Sequence, residues 1–539
     1  MKPHARRIAA AGMSAVLALA LSPMQALAAT SVTVGGTSYA AGTKAGDAAG
    51  TWAYDGADAL ALNGYDGGAI SAEGDLDITL AGDNKIDTNT DDYGIEVSAD
   101  GDENGNLSIS GDGSLDVKVD SDASSHTDGI TADGDITISG TDVSVEATGD
   151  SATDGIHTTG GDINVEDSLV GVTTKSDEGN SSGIVLGGAD SHNVNIDNSS
   201  VYAGNNSANK GNGIINGNGD VNINSSAVGV SNTAVGNGAG IAVYSGDLNA
   251  VDSDVRASSQ TTGGAARINR GISAIAITGT TGGNIYFSNT NVVATASGAA
   301  HGATLGIDAE NGNLSITDGS KVVATSEAQK AGTSIAIVIA RINTGTHGGD
   351  ITISDSDVTA TGGDIGIMAS DQSGSYSPTI AIENSNVKAS GNIAAIMSAG
   401  LSKDHAGIIS ISGSSIVSPA GARVLDFTDD TLGAVGQTIR FGNDPITWIV
   451  APPNVDAANP AVATDVTITA DQKPAPEPTD NNTTSTATDS TAKVTAQATS
   501  ASAVPKTGDS PLPLTLALTS LLAAGGALLL ARRETVRKH

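Results

Sequence analysis

The side chains best placed to do chemistry are carboxylates. Asp128, Asp133 and Asp135 fall in one short repeat, and Asp154 and Asp162 fall in the next. A hard cation such as calcium is held by several oxygens, from carboxylates and carbonyls together. Acids matched in register across two repeats are therefore a candidate calcium site. Between Trp52 and Gly204 the only basic residues are Lys85, Lys118 and Lys175, so this half lacks internal counter-ions. The loop Asp100-Gly101-Asp102-Glu103-Asn104-Gly105-Asn106 is a second candidate, although it lacks the closing glutamate of an EF-hand.

Catalytic constellations are weaker. Asn89-Thr90-Asp91-Asp92 resembles one motif of the galacturonan hydrolases, but their paired-aspartate, His-Gly and Arg-Ile-Lys motifs do not follow. Bond hydrolysis in such enzymes needs two carboxyls flanking the glycosidic link, and a turn accounts for this segment. His126, His157 and His192 lie in or near the repeats, yet none stands at a linear spacing typical of a metal site or a nucleophile triad. The expectation is a non-enzyme.

The elements that must position these residues are short. Thr127–Gly149, TDGITADGDITISGTDVSVEATG, contains three strand-like pieces: Gly129-Ile130, Asp135–Ile138 and Val143–Val145. Gly, Asp, Ser and Thr turns separate them. Thr153–Val172 repeats the scheme. The first strand is marked by Ile70, Ile95, Ile130, Ile156, Ile184, Ile214, Ile241, Ile272 and Ile307. The second opens on Asp75, Asn106, Asp135, Asp162, Asn193, Asp220, Asp247, Asn284, Asn313 and Asp350, usually after glycine. Later units keep the strand without the acid, as in Ile380–Ile382, Ile409–Ile411 and Ile439–Phe441. The third strand follows at a constant offset, as from Asp135 to Val143 or from Asp350 to Val358.

Units of roughly 25–35 residues that each bury an apolar face against their neighbours predict an all-β, right-handed parallel β-helix of about thirteen three-strand coils. At ~4.8 Å per coil the rod would be ~60 Å long. The second-to-third connection is constant while the other two vary, as at Gln260–Asn269 and Asn343–Gly348, so variable loops should crowd particular edges. The Asp and Asn residues opening the second strand should stack as a ladder. Laddering is the structural account of these acids, with Asn diluting repulsion and chaining its amides. The preceding glycines would supply a special turn conformation. A solenoid end needs a cap, and Trp52, Tyr54, Leu60 and Leu62 suit that role, a ligand-stacking Trp52 being the alternative.

Composition agrees with thin, stacked β-structure. Of 539 residues 69 are glycine and only 2% are aromatic, too few aromatics for an ordinary globular core. The absence of cysteine excludes disulfides and thiolate metal sites. A net charge of −35 argues against nucleic acid, whose phosphates need basic partners.

The two ends suggest an address. Residues 1–28 read as a secretory signal, with Lys2, Arg6 and Arg7 before an apolar run and cleavage between Ala28 and Ala29. At the other end come Val504-Pro505-Lys506-Thr507-Gly508, an apolar span over 511–531 and a basic tail. The span is long enough to cross a bilayer, with the tail cytoplasmic. This order resembles the sortase sorting signal of Gram-positive surface proteins. That resemblance implies cleavage between Thr507 and Gly508 and attachment to peptidoglycan, with Val504 replacing the usual Leu. The expected layout is signal 1–28, N-terminal cap 29–64, β-helix 65–450, C-terminal cap or extended segment 451–470, wall spacer 471–503 and sorting signal 504–539. The spacer is rich in Pro, Thr, Ser and Ala and should be extended.

The phrases Asp128–Ile138, DGITADGDITI, and Asp154-Gly155-Ile156-His157 resemble the repeats of a clostridial carbohydrate-binding β-helix family that shares the pectate-lyase-like fold. The resemblance implies calcium-assisted binding of acidic polysaccharide such as polygalacturonate, without cleavage. The expected function is thus a secreted, wall-anchored protein whose partners are sortase, peptidoglycan and an acidic glycan. The membrane would be met only through the precursor's C-terminal span. The alternative is a structural or adhesive rod, an adhesin, binding a host or bacterial protein, and the third reading is a polysaccharide lyase or glycoside hydrolase.

Overall fold

The computed structural model describes residues 29–471, apart from 102–103, 123–125, 264–266, 277–282, 299–301, 329–332, 342–348, 372, 401–403, 429–445, 454 and 456–460. The signal at 1–28, the spacer from 472, the sorting motif, the 511–531 span and the coil expected at Ile439–Phe441 lie outside the described residues. Among the described residues no helix is long and apolar enough to cross a membrane.

Strand alternation puts every second side chain inside, as in Leu76–Ala81, where Leu76, Ile78 and Leu80 are buried and Asp77, Thr79 and Ala81 are exposed. No unit can bury its apolar row alone, so the rows stack. The result is an all-β parallel β-helix of three sheets, and the second strands begin the middle register of each turn. Eleven full turns stack in parallel, the first being Ile70–Glu73, Leu76–Ala81 and Asp83–Thr88 and the last Ile365–Asp371, Thr379–Glu383 and Asn386–Ser390. This is fewer than the expected thirteen, because the outermost units join only part of the ladder.

In the first sheet Ile70, Ile95, Ile130, Ile156, Ile184, Ile214, Ile241, Ile272, Ile307, Ile337, Ile367 and Ile396 are register neighbours in one unbroken column. All are fully buried. Each contributes about 1.5–3 kcal/mol of burial, and the column holds every turn in phase.

The ends close with antiparallel strands, which cover the unpaired edges a solenoid would otherwise expose. At the N-terminal end Ser31–Val34 pairs antiparallel with both Thr37–Ala40 and Ile70–Glu73. Tyr54, Leu60 and Leu62 are buried, and Trp52 packs on the core with Tyr39 at 5.4 Å between rings. At the other end the parallel ladder, expected to reach 450, stops at Ile408–Ser412. Beyond it Ile446–Ala451 pairs antiparallel with Ala394–Ala399, and Asp465–Ala470 pairs antiparallel with both Asn386–Ser390 and Ser414–Ser418.

The constant connection has a local cause. Asp167, Asn198, Ser225, Asp252, Asn289, Asp355 and Asn384 occupy its first position in the left-handed region, with φ of 48–53°. Asn and Asp tolerate this conformation better than most residues. A buried serine follows, or Thr290 after Asn289, and the N–H of Ser168 donates to Ser199 Oγ, that of Ser199 to Ser226 Oγ and that of Ser226 to Ser253 Oγ. The tied turn keeps two residues from Asp167-Ser168 to Asn384-Ser385 except at Asp318-Gly319-Ser320, which holds one more. The larger variation lies in the connections entering and leaving the first strand, which border the first sheet's outer face. Of the two insertions noted above, 343–348 lies outside the described residues, and much of 260–269 is strand, in Asp254–Thr261 and Arg267–Ile275.

Candidate metal centre

The first strand does not alternate regularly. In Thr127–Ala132 both Gly129 and Ile130 turn inward, so the outward residues Asp128 and Thr131 are three apart. The glycine is required: a Cβ on Gly129 would overlap Val145 Cγ1 of the third sheet and sit 2.6 Å from the Gly155 carbonyl oxygen. The same break recurs in Thr153–Thr158, where Asp154 pairs with Asp128 and His157 pairs with Thr131. Two turns therefore present Asp128, Asp154 and His157 on one outer face. His126 enters from just before its strand.

One ligating atom from each of His126, Asp128, Asp154 and His157 lies within 4.8 Å of the others. His126 Nε2 is 2.8 Å from Asp154 Oδ2 and 3.3 Å from Asp128 Oδ1. His157 Nδ1 is 3.4 Å from Asp128 Oδ1. The two imidazoles stack nearly parallel, 6° apart with centroids at 5.4 Å. Asp128, Asp154 and His157 are largely buried, whereas the His126 side chain is 42% exposed. The carboxylates of Asp128 and then Asp154, toward which His126 directs its Nε2–H, push the pKa of His126 up to about 10. Burial opposes ionisation of Asp128, but His126 and His157 outweigh it and keep the carboxyl below its ordinary value. Nearby Glu96 is pushed upward by burial and by the charges of Asp128 and Asp133.

Of the five acids expected to gather, the structure brings together Asp128 and Asp154. The other three serve the backbone. Asp133 Oδ2 accepts the Ala99 N–H at 2.9 Å, and its Oδ1 accepts Thr159 Oγ1 at 3.4 Å. Asp135 Oδ1 accepts the Asp162 N–H, and Asp162 Oδ1 accepts the Asn193 N–H, both at 2.8 Å. His192 Nδ1 approaches Asp162 Oδ1 at 3.5 Å.

These last bonds belong to a spine along the second sheet. Each Oδ1 accepts the backbone N–H of the next rung, from Asp75 to Asn106 to Asp135 to Asp162 to Asn193 to Asp220 to Asp247 to Asn284 to Asn313 to Asp350. Asp350 ends the spine on the Thr379 N–H. Asp and Asn interchange because the bond to the backbone uses only the oxygen they share. Side-chain amides chain within the spine where Asn284 donates to Asp247 and Asn313 to Asn284, and again two positions further on, where Asn195, Asn222 and Asn249 each donate to the Asn one turn before. The glycine before a rung takes a positive φ at Gly74, Gly105, Gly219, Gly283 and Gly349; at Gly134, which does not, the requirement is close approach, since a Cβ there would lie 2.6 Å from the Asn104 carbonyl oxygen.

The Asp100–Asn106 loop lies partly outside the described residues. In the segment recalling hydrolase chemistry, Asp91 Oδ2 accepts Thr88 Oγ1 and Asp92 Oδ1 accepts Ser121 Oγ, both at 2.7 Å. That is turn chemistry.

Further along the same outer face a buried charge group forms. Arg270 Nε donates to Asp308 Oδ2 at 2.6 Å, and its Nη2 is 3.6 Å from Glu310 Oε2. Burial, then the charge of Asp308, push Glu310 up to about 7 against the opposing pull of Arg270.

The separation of His126 and His157 in the chain matches no linear metal motif. The usable signal was their place beside the repeated Asp-Gly-Ile phrase, once one turn is laid on the next. No family model matches the chain, and neither a curated protein nor a solved structure matches it.

Proposed function

We propose that this chain is a wall-anchored surface protein whose β-helix binds carbohydrate, an acidic polysaccharide held with calcium, along the outer face of the first sheet. The observation that carries the reading is the placement of the variable connections. Both border that one face, and on it stand Glu96, Asp128, Asp154 and His157 and then Arg270, Asp308 and Glu310. In repeat proteins the variable edge is the usual binding side. Binding rather than cleavage fits the carboxylates, since Asp308 and Glu310 are engaged with Arg270 and Asp128 and Asp154 with histidines. Export and wall attachment rest on the signal at 1–28 and the sorting order at 504–539.

Calcium would lie between carboxylates of the sugar and of the protein. The donor set where Asp128 and Asp154 meet is half imidazole and does not suit calcium, which takes oxygen ligands. Calcium would therefore engage the exposed acids bordering the face.

A protein-binding adhesive rod is the second reading, favoured by exposed Leu169, Tyr202 and Val323 on the third sheet. A glycan array probed with the intact chain, with and without EDTA, separates the two. Chelator-sensitive binding to uronic-acid polymers is expected. A blank array would remove the carbohydrate reading.

A further inference from the structure

We propose that His126, Asp128, Asp154 and His157 form a binding site for a divalent transition metal of the zinc type. The site does not rest on the carbohydrate reading, and it would stand in a chain that binds no glycan.

Three observations carry it. The first is the donor set. Two imidazole nitrogens and two carboxylate oxygens suit zinc, cobalt or nickel, whereas calcium and magnesium are served by oxygen alone. Among the described residues this is the one group of three or more such side chains whose ligating atoms converge.

The second is spacing. Metal–ligand bonds of about 2.0–2.1 Å in a tetrahedron place neighbouring ligand atoms about 3.3–3.4 Å apart. Asp128 Oδ1 stands 3.3 Å from His126 Nε2 and 3.4 Å from His157 Nδ1, while His126 Nε2 closes to 2.8 Å on Asp154 Oδ2 and would open by about half an ångström around an ion.

The third is what is left unsatisfied. Asp128 Oδ1 and His157 Nδ1 are both buried, and they face each other at 3.4 Å as an ion pair without closing a hydrogen bond. A buried polar atom that makes no hydrogen bond is costly, and ion pairing alone would be expected to close the 3.3 and 3.4 Å distances around Asp128 Oδ1. One metal ion at the centre satisfies both atoms.

The ligands come from two successive turns, with His126 and Asp128 on one and Asp154 and His157 on the next. The metal would act as a clamp between them, and the exposed flank at His126 leaves one side accessible to solvent.

The test uses the intact chain stripped with chelator and titrated separately with zinc, cobalt and calcium chlorides. Calorimetry should give one zinc ion per chain, and zinc should raise the melting temperature, since an ion that binds the folded state stabilises it by mass action. Cobalt should develop the intense visible bands of a tetrahedral site, a readout that needs no variant. His126→Gln and His157→Gln should each weaken zinc by at least the roughly 10- to 100-fold that losing even an outer-sphere partner costs. Asp135→Asn should leave zinc binding unchanged, because the spine accepts either side chain. The proposal is overturned by a chain that takes up no zinc and shows no tetrahedral cobalt spectrum. It is equally overturned if both histidine variants bind zinc as the parent does, or if calcium matches zinc in affinity.

Discussion

The backbone N–H of Asp162 donates to Asp135 Oδ1 at 2.8 Å, which makes one acid the support of the next turn. The bond uses an oxygen that asparagine also carries. Asp135→Asn should therefore change stability by less than about 0.5 kcal/mol, the range of a harmless surface change. Asp135→Ala should cost about 1–3 kcal/mol by leaving the Asp162 N–H unsatisfied. Urea unfolding followed by circular dichroism measures both, and an alanine variant as stable as the asparagine one would refute the spine.

Glycines of the first strand and of the third-strand surface should respond in opposite ways. A Cβ on Gly155 would overlap Val172 Cγ1 and stand 2.6 Å from the Gly183 carbonyl oxygen. Gly155→Ala should destabilise by about 1–3 kcal/mol, the usual cost of overpacking. Gly171 has open space around its Cβ position, so Gly171→Ala should be neutral or stabilising by up to about 1 kcal/mol. Paired thermal melts decide this, and a Gly155→Ala variant that melts with the parent would contradict the packing.

Glu310 gives stability a pH dependence of definite sign. Its folded pKa is raised from the ordinary 4.5 to about 7 by burial and by Asp308. Between those values the folded chain binds more protons than the unfolded chain, so this group's contribution falls as pH rises through the window. Glu310→Gln removes the ionisation while Arg270 keeps its bond to Asp308. The variant should melt above the parent at about pH 8 and alongside it at about pH 4. Equal melting temperatures at both pH values would show that Glu310 titrates normally.

Much of the architecture was legible in the chain because a solenoid repeats its instructions. Every full turn restates the alternation and the isoleucine of the first strand, and most restate the Asp or Asn opening the second and a short polar turn before the third, such as Asp167-Ser168 or Asn198-Ser199. These are local signals, and the stack needs only neighbouring turns to agree. The turn count was less legible, since the end units look like repeats although antiparallel strands close the rod there.

Which acids meet was not legible. Asp128, Asp133 and Asp135 are neighbours in sequence, yet they project from the first strand, the following connection and the opening of the second strand. Only closure of the turn sends Asp133 to the Ala99 N–H and Asp135 to the spine. His157 joins Asp128 because Gly155 and Ile156 both face inward, a break in alternation imposed by the third sheet pressing on the glycine. The sequence by itself determined the three-strand repeat, its column of isoleucines and its spine, because those depend on periodicity. The tertiary structure alone decided the two-histidine, two-aspartate cluster, because that depends on how one turn registers on the next and on the face to which each side chain is turned.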